Sequence, residues 1–235
     1  MTIHLTGTED FGEFCQDVQF NEYEGKSQLS TWFGQSSHRW TILHRNLVLS
    51  ICDNEYSQPV ISEEKHDDSP ELTSKFFVSG GTRTVTPNVA GVSDDYEEVA
   101  GYNYLFSLPD VREFEYHRAN QRAQNIKIYW HPNLLDSFQG SFENLPALLE
   151  QLKENPIKQP FHQPLGVTTP AMQLVLKQIL HCPFVETLRQ MYLEAKVLEL
   201  LVLKIAQWGE IIRYYSDRSI SALMKLNVCI MLKLF

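Results

Sequence analysis

The sequence predicts an α+β fold in which an antiparallel, jelly-roll-like β domain is followed by a helical hairpin. Three observations lead there. Between residues 38 and 131, about seven short tracts rich in Val, Ile, Tyr, Phe and Thr recur, separated by turns built on Gly, Asn, Asp and Pro. Near Pro132 the apolar period changes from that of strands to that of helices. No helical segment alternates with the strand tracts, so the pattern is that of a sandwich or barrel and not of βαβ units.

Residues 1–37 carry little pattern beyond a short helix expected at 10–17, and they read as a poorly defined, loosely attached start. Residues 40–52, WTILHRNLVLSIC, form a hairpin candidate broken by His44, Arg45 and Asn46, with Leu47, Leu49 and Ile51 on one face of its second strand. Acidic residues 53–74 suggest an exposed loop around a short strand at 59–62. Strands at 75–79 and 82–86 flank Gly80 and Gly81 and read as a second hairpin. Residues 89–93 read as polar loop or edge. Further strands are expected at 102–108, 111–117 and 124–131, with Pro109 and Asp110 turning the chain between the first two. The whole of 38–131 is therefore assigned to a cupin-like jelly roll.

Residues 132–217 form the helical region. Two short helices are expected, over 131–140 and 142–156, and a proline-rich linker over 156–167. Thr169 is a good N-cap, Pro170 fits the first helical position, and Met172, Val175, Leu176, Ile179 and Leu180 follow at helical spacing. Pro183 closes that helix. A longer one from Glu186 places Leu188, Met191, Tyr192, Ala195, Leu198, Val202 and Ile205 on one face, widened by Leu193, Val197, Leu200 and Leu201. So wide a stripe needs two partners: the first helix, and either a sheet or the same helix of a second chain. Strict heptads do not persist, so no extended coiled coil is expected.

The segments QILHCPF and YLEAKVLEL resemble the PchR-type regulators of the AraC family, and from residue 47 to 208 the order of elements resembles that family's effector-sensing half. The resemblance implies a bacterial transcriptional regulator whose effectors include siderophores, and whose helices join the sensing domain to a pair of helix-turn-helix units while helping to form a dimer. After Asp217 the chain reads RSISALMKLNVCIMLKLF. The expectation is a chain lacking the DNA-binding half, with residues 218–235 an apolar truncation remnant; the other reading is a helix docked on the sensing domain. Such a chain would pair with itself or with a full-length regulator.

Composition sets further bounds. At 235 residues, 43% hydrophobic and 21% charged, the chain can bury a full core. Neither a signal peptide nor an apolar run long enough to cross a membrane is visible, so a cytoplasmic protein with no membrane partner is expected. Residues 1–167 carry 12 Lys+Arg against 24 Asp+Glu, an acidic surface that repels phosphate backbones, so direct nucleic-acid binding is not expected. Cys15, Cys52, Cys182 and Cys229 are widely spaced, as reduced buried thiols would be.

Catalytic patterns are weak. None of the histidines at 4, 38, 44, 66, 117, 131, 162 and 181 lies two to four residues from another, as a cupin metal motif requires. There is no GxSxG elbow. Cys182 follows His181 at a helix end, where adjacent side chains point in different directions, so no reactive Cys-His pair is expected. Gly80-Gly81 lacks the lysine and following helix of a phosphate loop. No enzyme, metal or cofactor is expected; a small cupin-type isomerase or dioxygenase, and a nonfunctional fragment, are the rival readings. What remains is a site for a small organic effector lined by Phe76, Tyr102, Tyr104, Phe106, Tyr129 and Trp130, with Arg83 placed to orient a carboxylate. Ordinary core packing is the competing reading of each aromatic. Leu198, Leu201, Val202 and Ile205 are the expected dimerisation residues.

Overall fold

The computed structural model describes residues 1–6, 15–44, 47–69, 71–138 and 159–217. Their strands are β1 (Ile3–Thr6), β2 (Cys15–Phe20), β3 (Glu24–Thr31), β4 (Gly34–Ile42), β5 (Val48–Tyr56), β6 (Val60–Lys65), β7 (Leu72–Ser79), β8 (Gly81–Val85), β9 (Asp95–Val99), β10 (Tyr102–Ser107), β11 (Arg112–His117), β12 (Gln121–Trp130) and β13 (Phe161–Val167). The helices are α1 (Pro170–Leu180) and α2 (Glu186–Asp217). The strands form an eight-stranded sheet, β13-β10-β7-β12-β5-β4-β3-β2, and a five-stranded sheet, β1-β6-β11-β8-β9. Pairing is antiparallel throughout except between β1 and β6. This is an antiparallel β sandwich of the jelly-roll class with a C-terminal helical region.

The larger sheet is covered on both faces near its middle, which explains why Leu72 to Phe77 of β7 are all buried. Because side chains alternate across a strand, each strand contributes to two layers. Leu72 and Phe76, Leu105 of β10, Ile126, Ile128 and Trp130 of β12, and Leu49 and Ile51 of β5 face the helices and form one apolar core with them. From α1 that core takes Met172, Val175, Leu176 and Ile179, and from α2 Leu193, Val197, Leu200, Leu201 and Trp208. The capping signals of α1 are realised: the Thr169 hydroxyl accepts from the Met172 amide at 3.3 Å, and Pro170 opens the helix.

Several expectations are corrected. The described part of residues 1–37 is no loose start, since β1 joins the five-stranded sheet while β2, β3 and β4 extend the eight-stranded one; most of the helix expected at 10–17 lies outside the described residues, and Cys15 to Asp17 are in β2. Polar strands such as QSSHRW escape a hydrophobic reading because both their faces are only partly buried. Gly80-Gly81 does not close a hairpin: β7 and β8 lie in different sheets, and the chain crosses between them here. Gly80 has φ +67°, and a Cβ on it would stand 2.4 Å from the Arg122 carbonyl oxygen, so glycine is required. The expected linker holds β13, which pairs with β10. Pro132–Ser137 form a short 3-10 turn in place of the first short helix; the second falls outside the described residues, as does the tail 218–235.

The face of α2 is reversed relative to expectation. Leu193, Val197, Leu200 and Leu201, read as a flank of the stripe, are the buried side. Leu188, Met191 and Val202 are exposed, Ala195 also, and Leu198 and Ile205 are only half-buried. Leu198 and Ile205 pack against the edge of the core, so the outward part of the stripe consists of Leu188, Met191, Ala195 and Val202.

Candidate functional site: a charged centre between the sheets

On the face of the larger sheet that looks into the sandwich, the same alternation places Lys75 and Phe77 of β7, Lys127 and Tyr129 of β12, Tyr104 and Phe106 of β10, and His162 of β13. Facing them from the smaller sheet are Glu98 of β9, Glu113, Glu115 and His117 of β11, and Glu64 of β6. The interior of this sandwich therefore holds a charged centre beside an apolar cluster around Phe77, Tyr104 and Phe106, while the largest apolar core lies under the helices.

Lys75 is the hub. Its ammonium donates to Glu98 Oε2 and, at 2.8 Å, to Glu115 Oε1, and it lies 4.9 Å from the centre of the Phe77 ring. Lys75 and Glu98 are fully enclosed. Burial works against the Lys75 ammonium, but the Glu115 and Glu98 carboxylates outweigh it and hold the pKa above that of an ordinary lysine. Burial likewise opposes ionisation of Glu98 and Glu115, and the lysine prevails in both, keeping them below the usual carboxylate range.

His162 completes this cluster. Its Nε2 lies 2.9 Å from Glu98 Oε1, and its ring stacks on Phe106 with centroids 5.2 Å apart, against Tyr96 and Tyr104 on other sides. With Nε2 donating to the carboxylate, the bare Nδ1 is buried without a partner among the described residues. Nearby, His117 Nε2 bonds Ser62 Oγ at 3.0 Å and stands 3.8 Å from Glu115. Burial pushes the His117 pKa down despite that carboxylate. Lys127 and Glu64 form a second cross-sheet pair at 3.4 Å, and His66 faces Glu113 at 3.4 Å. Among the described residues no group of three or more His, Cys, Asp or Glu side chains is arranged to hold a metal ion.

A pocket of about 230 Å³ opens at the β6–β7 end of the sandwich. Glu64 and Phe106 belong to both pocket and interior, and Thr73, Tyr129, Asp67 and Glu71 complete the relevant wall.

The aromatic set expected to bind an effector does not come together. Phe76 and Trp130 face the helices, where Trp130 Nε1 donates to Ser74 Oγ at 3.0 Å. Tyr104 and Phe106 face the interior. Tyr102 is 40% exposed at the start of β10. Arg83 lies on the surface, held by Asp95 at 2.8 and 2.5 Å and stacked on Tyr116, so it orients no buried carboxylate. One strand's neighbours, Phe76 and Phe77, look into different layers. Of the dimerisation set, Leu201 is 3% exposed and unavailable to a partner, Val202 is 67% exposed, and Leu198 and Ile205 lie between.

The residues that matter inside were missed, though a signal existed. Lys75 in LTSKFF and Lys127 in NIKIYW interrupt otherwise apolar strands, and a lysine there needs a buried carboxylate partner. Glu113 and Glu115 alternate in REFEYH. His162 carried no such signal, because its strand was read as linker.

A similar sandwich occurs in solved structures of low identity. A predicted oxalate decarboxylase from Thermotoga maritima is 12% identical over 48% of this chain and 97% of its own, with a TM-score of 0.33. Ectoine synthase from P. lautus gives 11%, 43% and 67%, with 0.31. A bacterial pirin from Escherichia coli, in complex with nickel(II), gives 12%, 63% and 53%, with 0.35. No curated protein sequence matches. The protein is a jelly-roll domain of the regulatory kind: a family model described as the regulatory protein PchR N-terminal domain matches residues 33–218. The chain belongs to that family.

Proposed function

We propose that this chain is the effector-sensing and dimerisation module of an AraC-type bacterial transcriptional regulator, working in the cytoplasm. The observation that carries the proposal is the division of one sheet between two tasks. Its inner face lines a charged interior with a pocket, and its outer face seats α1 and α2. A ligand in the sandwich changes the packing of β7, β10 and β12, and the helices resting on the same strands are the natural receivers. The family supports regulation over catalysis, and a sandwich fold by itself assigns no chemistry.

The outward stripe of α2 supports self-association, either as a homodimer or with a full-length regulator carrying the same helix. Three large apolar side chains on it, Leu188, Met191 and Val202, are more than half exposed.

Sensing is tested by thermal melting against apo and ferric siderophores, amines and carboxylates, with wild type beside Thr73→Trp, which fills the pocket. At least one compound should raise the wild-type midpoint and leave the variant unmoved. Failure of every compound, or equal stabilisation of both proteins, would count against a sensor built on this pocket.

A further inference from the structure

Within that sensing reading, on which this inference rests, the charges of the pocket select its ligand. We infer that it binds a small organic cation, an amine or guanidinium attached to an apolar group, and not a carboxylate.

Two independent observations carry this. The first is the charge balance. Of the interior carboxylates Glu64 lines the pocket, and Asp67 and Glu71 join it there. Asp67 and Glu71 stand close enough to repel, and the basic side chains on the wall are Lys65, at the exposed end of β6, and His66, which faces Glu113 at 3.4 Å. Glu71 has no cationic ion-pair partner among the described residues. Burial first, and the neighbouring Asp67 after it, push its pKa up against the opposing effect of His131.

The second is an unused donor and acceptor. Thr73 is only 6% exposed and lines the pocket, and its hydroxyl makes no hydrogen bond among the described residues. The Phe106 and Tyr129 rings complete the wall. Carboxylates beside aromatic faces, with a free hydroxyl between, are what a protonated amine on an apolar stem requires. At about 230 Å³ the pocket holds a molecule of one ring and a short chain.

The test uses tyramine and 4-hydroxyphenylacetate, which share a ring and differ in the charge of the chain, titrated calorimetrically into the full chain. Tyramine should bind at least about tenfold more tightly than the acid. Glu71→Gln should weaken tyramine about fivefold or more with an unchanged melting midpoint, and Thr73→Trp should abolish binding. Preference for the acid, or tyramine binding indifferent to both substitutions, overturns the inference. If another compound stabilises the protein in a Thr73-dependent way while tyramine does not bind, the cation class falls and the sensing reading stands. If nothing binds, both fall.

Discussion

Lys75 and Glu98 face each other across the sandwich, one from an inner strand of the eight-stranded sheet and the other from an edge strand of the five-stranded sheet. Their contact ties the two sheets together where a jelly roll would ordinarily hold apolar side chains. Glu115 and His162 converge on the same pair, so every charge at the hub has a partner.

Removing the hub cation should therefore cost more than removing an apolar residue of its size. Lys75→Met leaves Glu98 and Glu115 buried beside each other, and a loss of about 3–5 kcal/mol in urea unfolding is expected. The triple variant with Glu98→Gln and Glu115→Gln should recover part of it. An additive triple variant would show that the three do not act as a unit.

Lys204 is the opposite case. It is buried on α2, donates to the Tyr104 carbonyl at 2.5 Å and lies 4.6 Å from the centre of the Phe76 ring, with no carboxylate beside it among the described residues. Burial drives its pKa well below that of an ordinary lysine. The unfolded chain then binds more protons than the folded one, so this group's contribution makes stability rise with pH up to the ordinary value of 10.5. Lys204→Met should stabilise the protein at pH 7 by on the order of 1 kcal/mol and flatten the rise between pH 7 and 9. Melting at the two pH values, wild type against variant, decides the point.

Acid should unfold the protein in two stages. Burial lowers the His117 and His38 pKa values from 6.5, so the folded form resists their protonation and stability falls as the pH drops below that value. Glu98 and Glu115 lie below the ordinary 4.5, and the stability they supply is fully present above it and lost as the pH falls through their folded values. In urea melts from pH 7.5 to 3.5, His117→Gln should remove much of the first stage and leave the second. A curve flat between pH 7 and 5 would contradict this.

The two faces of α2 give a contrast of their own. Val197 is fully buried and Val202 is 67% exposed, five residues along one helix. Val197→Asp should cost about 3 kcal/mol or more, whereas Val202→Glu should move stability by less than about 0.5 kcal/mol. Equal effects would show that the stripe facing the sheet has been assigned wrongly.

These contrasts show where the sequence was legible. α1 was readable from Thr169, Pro170 and its periodic apolar residues, because cap, propensity and period agree there. The strand character of residues 75–86 and 102–131 was visible for the same reason, but which sheet each strand joins was not, since β7 and β8 are adjacent in sequence and lie in different layers. α2 misled because it is apolar on two sides, and periodicity counts apolar positions without saying which side meets the sheet. The site was hidden by a related assumption, that aromatic residues mark the pocket. Phe76 and Trp130 serve the helix-facing core, while Phe106 and Tyr129 do line the pocket, beside an interior marked by lysine, glutamate and histidine.

The most direct measurement of the account is sedimentation velocity of the full chain from micromolar to several hundred micromolar, with Val202→Glu as the control. A dimer populated by the wild type as concentration rises, and lost in the equally stable variant, is the predicted result. A wild type that stays strictly monomeric over that range, or a dimer untouched by Val202→Glu, would contradict a module that associates through the outward face of α2.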